Sequence, residues 1–396
     1  MLKHVYGTMD TKTDVNSRLT LFAAMLMSTI GGSVFIVQPG FVQGMVDYLG
    51  FSEKEVGYIA SAEMSGFALM TILMIFLSSR VNWRKTVTIF LTIAVLGNFL
   101  STGVDSVEKF ALIRFFVGLG TGGLVSVSYS IVALSAKPDR NFGYMIVMAA
   151  VYGGIGFFAM PTLYKLAEMN GLLCFFAAFA VIGIAFVRYL PASGKEHIEV
   201  PEDAVEVSFV FKGMALAGMF TYFLAQGVIW AYLFLIGTSA GIGEQSVANS
   251  FTISQLAAIV GAMVAAIIGI RYGRSLPLTI GILGAVTALL FMFGATTALT
   301  FGMIVIVYNF LWNMTHPYLL ATMASLDHTG KVVVFAVSMQ TMGLAFGPAL
   351  AALFVPEDGF RTVIWLGAGL FVIAFLLIIF PVLSQRKILK LQSNSK

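Results

Sequence analysis

Twelve long apolar runs separated by short polar breaks decide what this chain of 396 residues can become. They fall roughly at 19–43, 55–78, 86–104, 110–135, 142–164, 171–190, 211–236, 247–269, 276–295, 299–325, 332–354 and 362–383. Each is near the ~20 residues that carry a helix across a hydrocarbon layer about 30 Å thick. Within that layer a backbone must satisfy its own polar groups, so a run of this length is a helix. Several runs are interrupted by Gly or Pro, which spanning helices tolerate. With 59% apolar residues, 11% charged and a mean hydropathy of +0.93, the expected class is an all-α membrane protein of twelve transmembrane helices.

The few charges orient the helices. Eighteen of the 23 Lys and Arg fall on one set of connections, including Arg80, Arg84, Lys85, Lys137, Arg140, Arg271, Arg274 and Arg386. The opposite loops hold only Lys54, Lys109, Lys165 and Arg361, and Arg114 alone lies inside a run. Cytoplasmic loops are the Lys/Arg-rich ones, so both termini are expected inside, in a cytoplasmic membrane. The net charge of +4 therefore calls for no nucleic-acid partner. Residues 1–18, polar and carrying Lys3, Lys12 and Arg18, read as a cytoplasmic tail rather than a cleavable leader. The single Cys174 forms no intrachain disulfide, and no metal site or cofactor is expected. The basic end around Gln385–Lys390 reads as an interfacial segment attracted to anionic lipid.

The longest polar stretch, 191–208, divides the chain into a bundle at 1–190 and another at 209–396. The halves echo each other. Gly50-Phe51-Ser52-Glu53 before the second run corresponds to Gly241-Ile242-Gly243-Glu244 before the eighth, and the same offset of 191 carries Arg80 onto Arg271. Asp139 and Pro161 have counterparts in Asp327 and Pro348 at a slightly shorter offset. A duplicated six-helix unit follows.

A 6+6 arrangement with a mid-chain loop resembles the major facilitator superfamily of secondary transporters, bacterial type, over essentially the whole chain. Arg114-Phe-Phe-Val-Gly118-Leu-Gly120 is similar to that superfamily's fourth-helix motif, an Arg four residues before spaced glycines. Ser79-Arg80-Val81-Asn82-Trp83-Arg84-Lys85 resembles its loop between helices two and three, with Ser79 in place of the usual Asp and Asn82 in place of the usual Gly. The fifth run has Gly153-Gly154-Ile155-Gly156 and a later Pro161 but lacks the Gly-Pro of the drug–proton antiporters. A Gly347-Pro348 lies on the eleventh run instead. The resemblance implies alternating access by a monomer that moves a small solute between two rocking bundles. Gly153, Gly156, Gly343 and Gly347 are expected to supply close helix contacts, or to be ordinary packing glycines.

One acid, Glu63, lies well inside a run, roughly 12 Å below the outer end of its helix by a rise of ~1.5 Å per residue. Arg114 lies roughly 6 Å below the outer end of its own, so the two can meet. Burial penalises the charged carboxyl and a nearby guanidinium favours it. A carboxyl whose neighbour changes between two conformations can take up a proton on one side and release it on the other. Glu63 is therefore the expected proton-coupling acid, with Arg114 its partner or a substrate anchor; a fixed ion pair is the alternative. Both are expected to project into a water-accessible chamber between the bundles.

On the tenth run Asn309, Asn313 and His316 share one face, with Trp312 beside it and Pro317 bending the helix. On the seventh, Tyr222, Gln226 and Trp230 form a drifting stripe, and Gln38 and Gln340 add uncharged polar groups. If runs one, four, seven and ten line the cavity, as the resemblance implies, Gln38, Arg114, Tyr222, Gln226, Asn313 and His316 face it. Such groups are also ordinary glue between helices. Together they point to a small, partly polar substrate, with Arg114 leaning toward an anion. Asp139-Arg140 and Asp327-His328 are candidates to latch the inner gate against the loops of Arg80 and Arg271, or are solvated loop charges.

An enzyme is disfavoured: only His316 of four His lies in a run, and no metal spacing or phosphate loop appears. The expectation is proton-coupled symport of a small organic solute. Efflux of amphipathic drugs or metabolites and a transporter-like receptor that moves nothing are the alternatives.

Overall fold

The computed structural model describes residues 13–194, 201, 203–294, 297–355 and 360–394. Lys3, Lys12, Lys195 and Lys396, part of the charge-bias argument, lie outside the described residues, as does most of the expected N-terminal tail. Among the described residues there is no strand. In chain order the helices are α1 (Arg18–Ile36), α2 (Gln38–Leu49), α3 (Glu53–Leu77), α4 (Trp83–Ser101), α5 (Val107–Ala133), α6 (Pro138–Phe186), α7 (Phe209–Ser239), α8 (Glu244–Ile268), α9 (Ser275–Leu290), α10 (Ala298–Ala324), α11 (Lys331–Ala352) and α12 (Arg361–Asn394).

Twelve passes result, though the helix boundaries differ from the apolar runs in two places. The first pass is broken at Val37, whose φ/ψ of −105/17° ends α1 before α2 begins. Pro39 is the cause: it has no N–H to give the carbonyl four residues back, that of Phe35. The fifth and sixth passes are both in α6, folded back at Ala167 and Glu168; Glu168 has φ 50° and ψ −148°, a region L-residues avoid. Helix starts carry their own caps. Ser52 and Glu55 form a reciprocal capping box on α3, and Ser106 and Asn82 accept from Lys109 and Lys85 N–H.

α1–α6 form one bundle and α7–α12 the other, with α3 against α5 and α8 against α10 among their tightest internal pairs. The same device sets both. Gly66 of α3 lies against the Phe115 carbonyl of α5, and Gly261 of α8 against the Phe310 carbonyl of α10. Close backbone approach through small residues is how helices associate where no hydrophobic drive separates them from lipid.

α6 ends and α7 begins on one face of the molecule, here the connection face; the opposite end is the far face. Between the bundles, α3 meets α11, α6 meets α8, and α2 meets α7. Every side-chain hydrogen bond described between the bundles lies from mid-span to the far face: Ser61 to the Ala345 carbonyl, Trp230 to Phe35, Tyr232 to Glu53, Thr238 to Gln43, and Thr252 to Gly154. The structure is therefore latched shut on its far side.

Candidate functional site

Two sites emerge at mid-span. In the first, Arg114 makes a bidentate ion pair with Glu63, Nε to Oε2 at 3.0 Å and Nη2 to Oε1 at 2.6 Å. Its remaining arm donates from Nη1 to Asn98 Oδ1 of α4 at 2.7 Å, and its plane lies 5.0 Å from the Phe41 ring of α2. Arg114 is 0% exposed and Glu63 4%. The expected meeting of the two charges is observed, but their projection into an open chamber is not: both are sealed among α2, α3, α4 and α5. The glycines explain why. Gly118 of α5 rests on the backbone carbonyl of Glu63, and Gly122 on that of Phe67, so the two helices lie in close backbone contact around the pair. Gly120 faces the other way, against the Phe90 carbonyl of α4. In the second bundle the position 191 residues after Glu63 is Ser254, and there the link is neutral: Asn309 Nδ2 donates to its carbonyl and hydroxyl at 3.1 Å.

The second site is the mid-span seam. Its far wall is aromatic: Trp230 stands edge-on to Trp312 at 5.4 Å and to Phe251 at 5.6 Å, Phe157 stacks on Phe251 at 4.7 Å, and Trp312 meets Phe35 at 6.2 Å. Trp230 Nε1 donates to the Phe35 carbonyl at 3.0 Å, the acceptor that Pro39 left short of a donor. Directly toward the connection face from Trp312 stand Asn313 and His316, both half-buried. Asn313 Nδ2 donates to the Asn309 carbonyl and Oδ1, and His316 Nε2 pairs with Gln340 Oε1 at 3.0 Å, with Phe223 edge-on to the imidazole at 5.3 Å.

Not every expected lining residue reaches this seam. Tyr222 and Gln226 are fully buried inside the second bundle, where Gln226 donates to Tyr222 Oη at 3.1 Å and accepts from Tyr308. Their stripe turns inward to α10 and α12, because buried amides and phenols need partners wherever they sit. Asn309 is likewise turned to α8. Gln38 is buried at the start of α2, and no hydrogen bond joins its side chain to the described residues. Gly153 packs on Gln255 and Gly154 under Thr252, both across the seam; Gly156 packs on Val37. Gly343 and Gly347 instead pack on α7 within their own bundle, at Phe220 and Gly227, and Pro348 offers its carbonyl toward Gly57 of α3.

The expected latch on the connection face also differs. Among the described residues neither Arg80 nor Arg271 bonds Asp139 or Asp327; both arginines are exposed. Asp327 is instead tied to its own turn, accepting from Thr329 Oγ1 and the Lys331 N–H. Burial alone pushes the Asp327 carboxyl up, yet those bonds and the nearby Lys212 hold it below the ordinary value. Arg274, one turn from Arg271, pairs with Asp203 at 2.7 Å. Arg140 lies over the Tyr144 ring at 5.8 Å. Sequence reasoning missed Asn98, Phe41 and Pro39. Asn98 was visible as an amide in an apolar run and Pro39 as an imino residue in mid-helix.

Two bundles of six spanning helices, latched on one side of a polar mid-span seam, define a secondary carrier. The Major Facilitator Superfamily model matches residues 21–327 and 215–394, and the chain belongs to that family. It is 22% identical over 355 residues to the uncharacterized MFS-type transporter YbcL of Bacillus subtilis (strain 168), covering 87% of this chain and 90% of that one. Among solved structures it resembles a D-xylose–proton symporter with TM-score 0.68 at 15% identity, covering 91% of this chain and 97% of that one. It also resembles a point mutant of the nucleoside transporter NupG, again with TM-score 0.68, at 16% identity, covering 91% and 99%. The chain is thus a multi-pass membrane transporter of this superfamily.

Proposed function

We propose that the chain moves a small organic solute across the cytoplasmic membrane by alternating access, driven by protons that enter with the solute. Its connection face, rich in Lys and Arg, is the cytoplasmic one, and the conformation described is closed to the outside. The observation that carries the coupling is the Glu63–Arg114 pair, an acid and a base that bridge two helices of one bundle with no other charge bonded to them among the described residues. Neutralising Glu63 leaves Arg114 with Asn98 as its only strong partner. That loosens the α3–α5 contact, and α3 is also the helix that meets α11 across the seam. Proton uptake at Glu63 thereby biases the seam. The likeness to a protein described as a D-xylose–proton symporter supports this reading.

The test is uptake into proteoliposomes under an imposed pH gradient, in both orientations. Glu63→Gln is expected to abolish accumulation against a solute gradient while leaving solute exchange at equal concentrations. A Glu63→Gln carrier that still accumulates solute uphill would overturn the assignment.

A further inference from the structure

The seam and the ion pair together limit what the carrier can hold. Arg114, the one guanidinium at mid-span among the described residues, directs Nε, Nη1 and Nη2 to protein acceptors and is wholly enclosed, so with Glu63 ionised it offers nothing to a ligand. At the seam of α10 and α11 the half-exposed polar groups Asn313, His316 and Gln340 carry no fixed charge. Their bonding pattern leaves a defined set of donors and acceptors uncommitted among the described residues. Asn313 uses its amide N–H on Asn309, which leaves its Oδ1 as an acceptor. With the Gln340 oxygen turned to the imidazole, His316 donates from Nε2 and leaves Nδ1 as an acceptor, and Gln340 keeps its two Nε2 hydrogens as donors. Trp312, half-buried, supplies ring surface beside these groups.

We infer that the transported solute is uncharged and carries both hydrogen-bond donors and an acceptor, as a polyol, an amide or a nucleoside-like heterocycle does, and that it is gripped at the seam of α10 and α11 by Asn313, His316 and Gln340. The inference rests on the carrier reading and refines its solute class. An anion entering here exchanges its hydration for neutral dipoles, with the mid-span cation Arg114 enclosed away from the seam; a charge moved into a low-dielectric site without a partner is penalised far more than a polar neutral group. A site built of donors and acceptors also discriminates sharply, because a ligand that lacks the matching group leaves the protein's own groups unpaired. The leaning toward an anion that the sequence suggests, founded on Arg114, is thereby reversed.

The reporter is built in. Of the four Trp residues, Trp230 and Trp312 stand at the seam, whereas Trp83 lies at the connection-face end of α4 and Trp365 is exposed on α12. The full chain in nanodiscs is titrated, by tryptophan fluorescence, with matched neutral and anionic probes: nicotinamide and nicotinate, uridine and uridine monophosphate, D-xylose and D-xylonate. At least one neutral member should change the signal saturably and bind at least tenfold tighter than its anionic twin. Trp312→Phe should reduce the change, and Trp365→Phe should leave it. Gln340→Leu and, separately, Asn313→Leu should each weaken that binding by tenfold or more with the melting temperature kept within a few degrees. Equal or tighter binding of the anionic twin, or silence from every neutral probe, overturns the inference. Because the titration uses no ion gradient, a failure of coupling in the Glu63→Gln experiment does not touch it.

Discussion

Trp230→Phe should loosen the far-side closure, and by an amount that follows from Pro39. The substitution keeps an aromatic ring against Phe251 and Trp312 but deletes the N–H that reaches the Phe35 carbonyl at 3.0 Å. In an unbroken helix that carbonyl is bonded by residue 39; here residue 39 is proline, and the Val37 N–H is divided between Ser33 and Phe35. Losing Trp230 therefore leaves a part-buried acceptor with only a share of the Val37 N–H, a penalty of about 1–3 kcal/mol. Once the far side opens, water can satisfy the same carbonyl, so the penalty falls on the closed state. The ratio of open to closed should rise by roughly 5- to 150-fold, a tenfold change corresponding to about 1.4 kcal/mol. Spin labels at Lys54→Cys and Gln245→Cys, on exposed starts of α3 and α8 in opposite bundles, report the opening in a Cys174→Ser background. Electron–electron resonance should show a longer-distance population in Trp230→Phe. Pro39→Ala restores an N–H in register with Phe35, so adding it to Trp230→Phe should return the short-distance population, the coupling a double-mutant cycle detects. An unchanged distance distribution in Trp230→Phe, or a double variant as open as the single one, refutes the reasoning.

Two further outcomes concern packing, and a third concerns acid. Gly118→Ala places a methyl on the rigid Glu63 carbonyl and should lower the melting temperature by an overpacking penalty of about 1–3 kcal/mol. Gly213→Ala near the start of α7 meets open space and should be neutral or gain up to about 1 kcal/mol in helix propensity. Asp327, whose carboxyl is held below its ordinary value by the Thr329 and Lys331 bonds, contributes stability that is present above about pH 3.9 and lost as pH falls through its folded value. Asp327→Asn should therefore melt lower than the parent at pH 7 and converge with it in acid. Any pH dependence of transport between about pH 5 and 8 should survive this substitution, since a carboxyl held low is ionised throughout that range.

What the sequence disclosed and what it hid divide along one physical line. A bilayer fixes the length and polarity of whatever crosses it, so twelve spans and their duplication could be read by counting, and an isolated acid and base in nearby spans had to find each other. Rotation about the helix axis could not be read the same way. In water, a helix betrays its buried face because the other face is polar; α7 is apolar nearly all round, since lipid and bundle interior ask for the same side chains. Tyr222 and Gln226 could therefore sit as well inside the second bundle as on the seam, and only the partners on α10 and α12 decide. The same ambiguity let Arg114 pass for a ligand anchor. Its position fits both roles; in the conformation described its donors are committed to Glu63 or Asn98 and the side chain is fully enclosed. On the proposed reading the labour divides between the bundles: Glu63 of the first exchanges the proton, the half-exposed Asn313, His316 and Gln340 of the second grip the solute, and the seam at Trp230 and Phe35 is where a change in one is felt by the other.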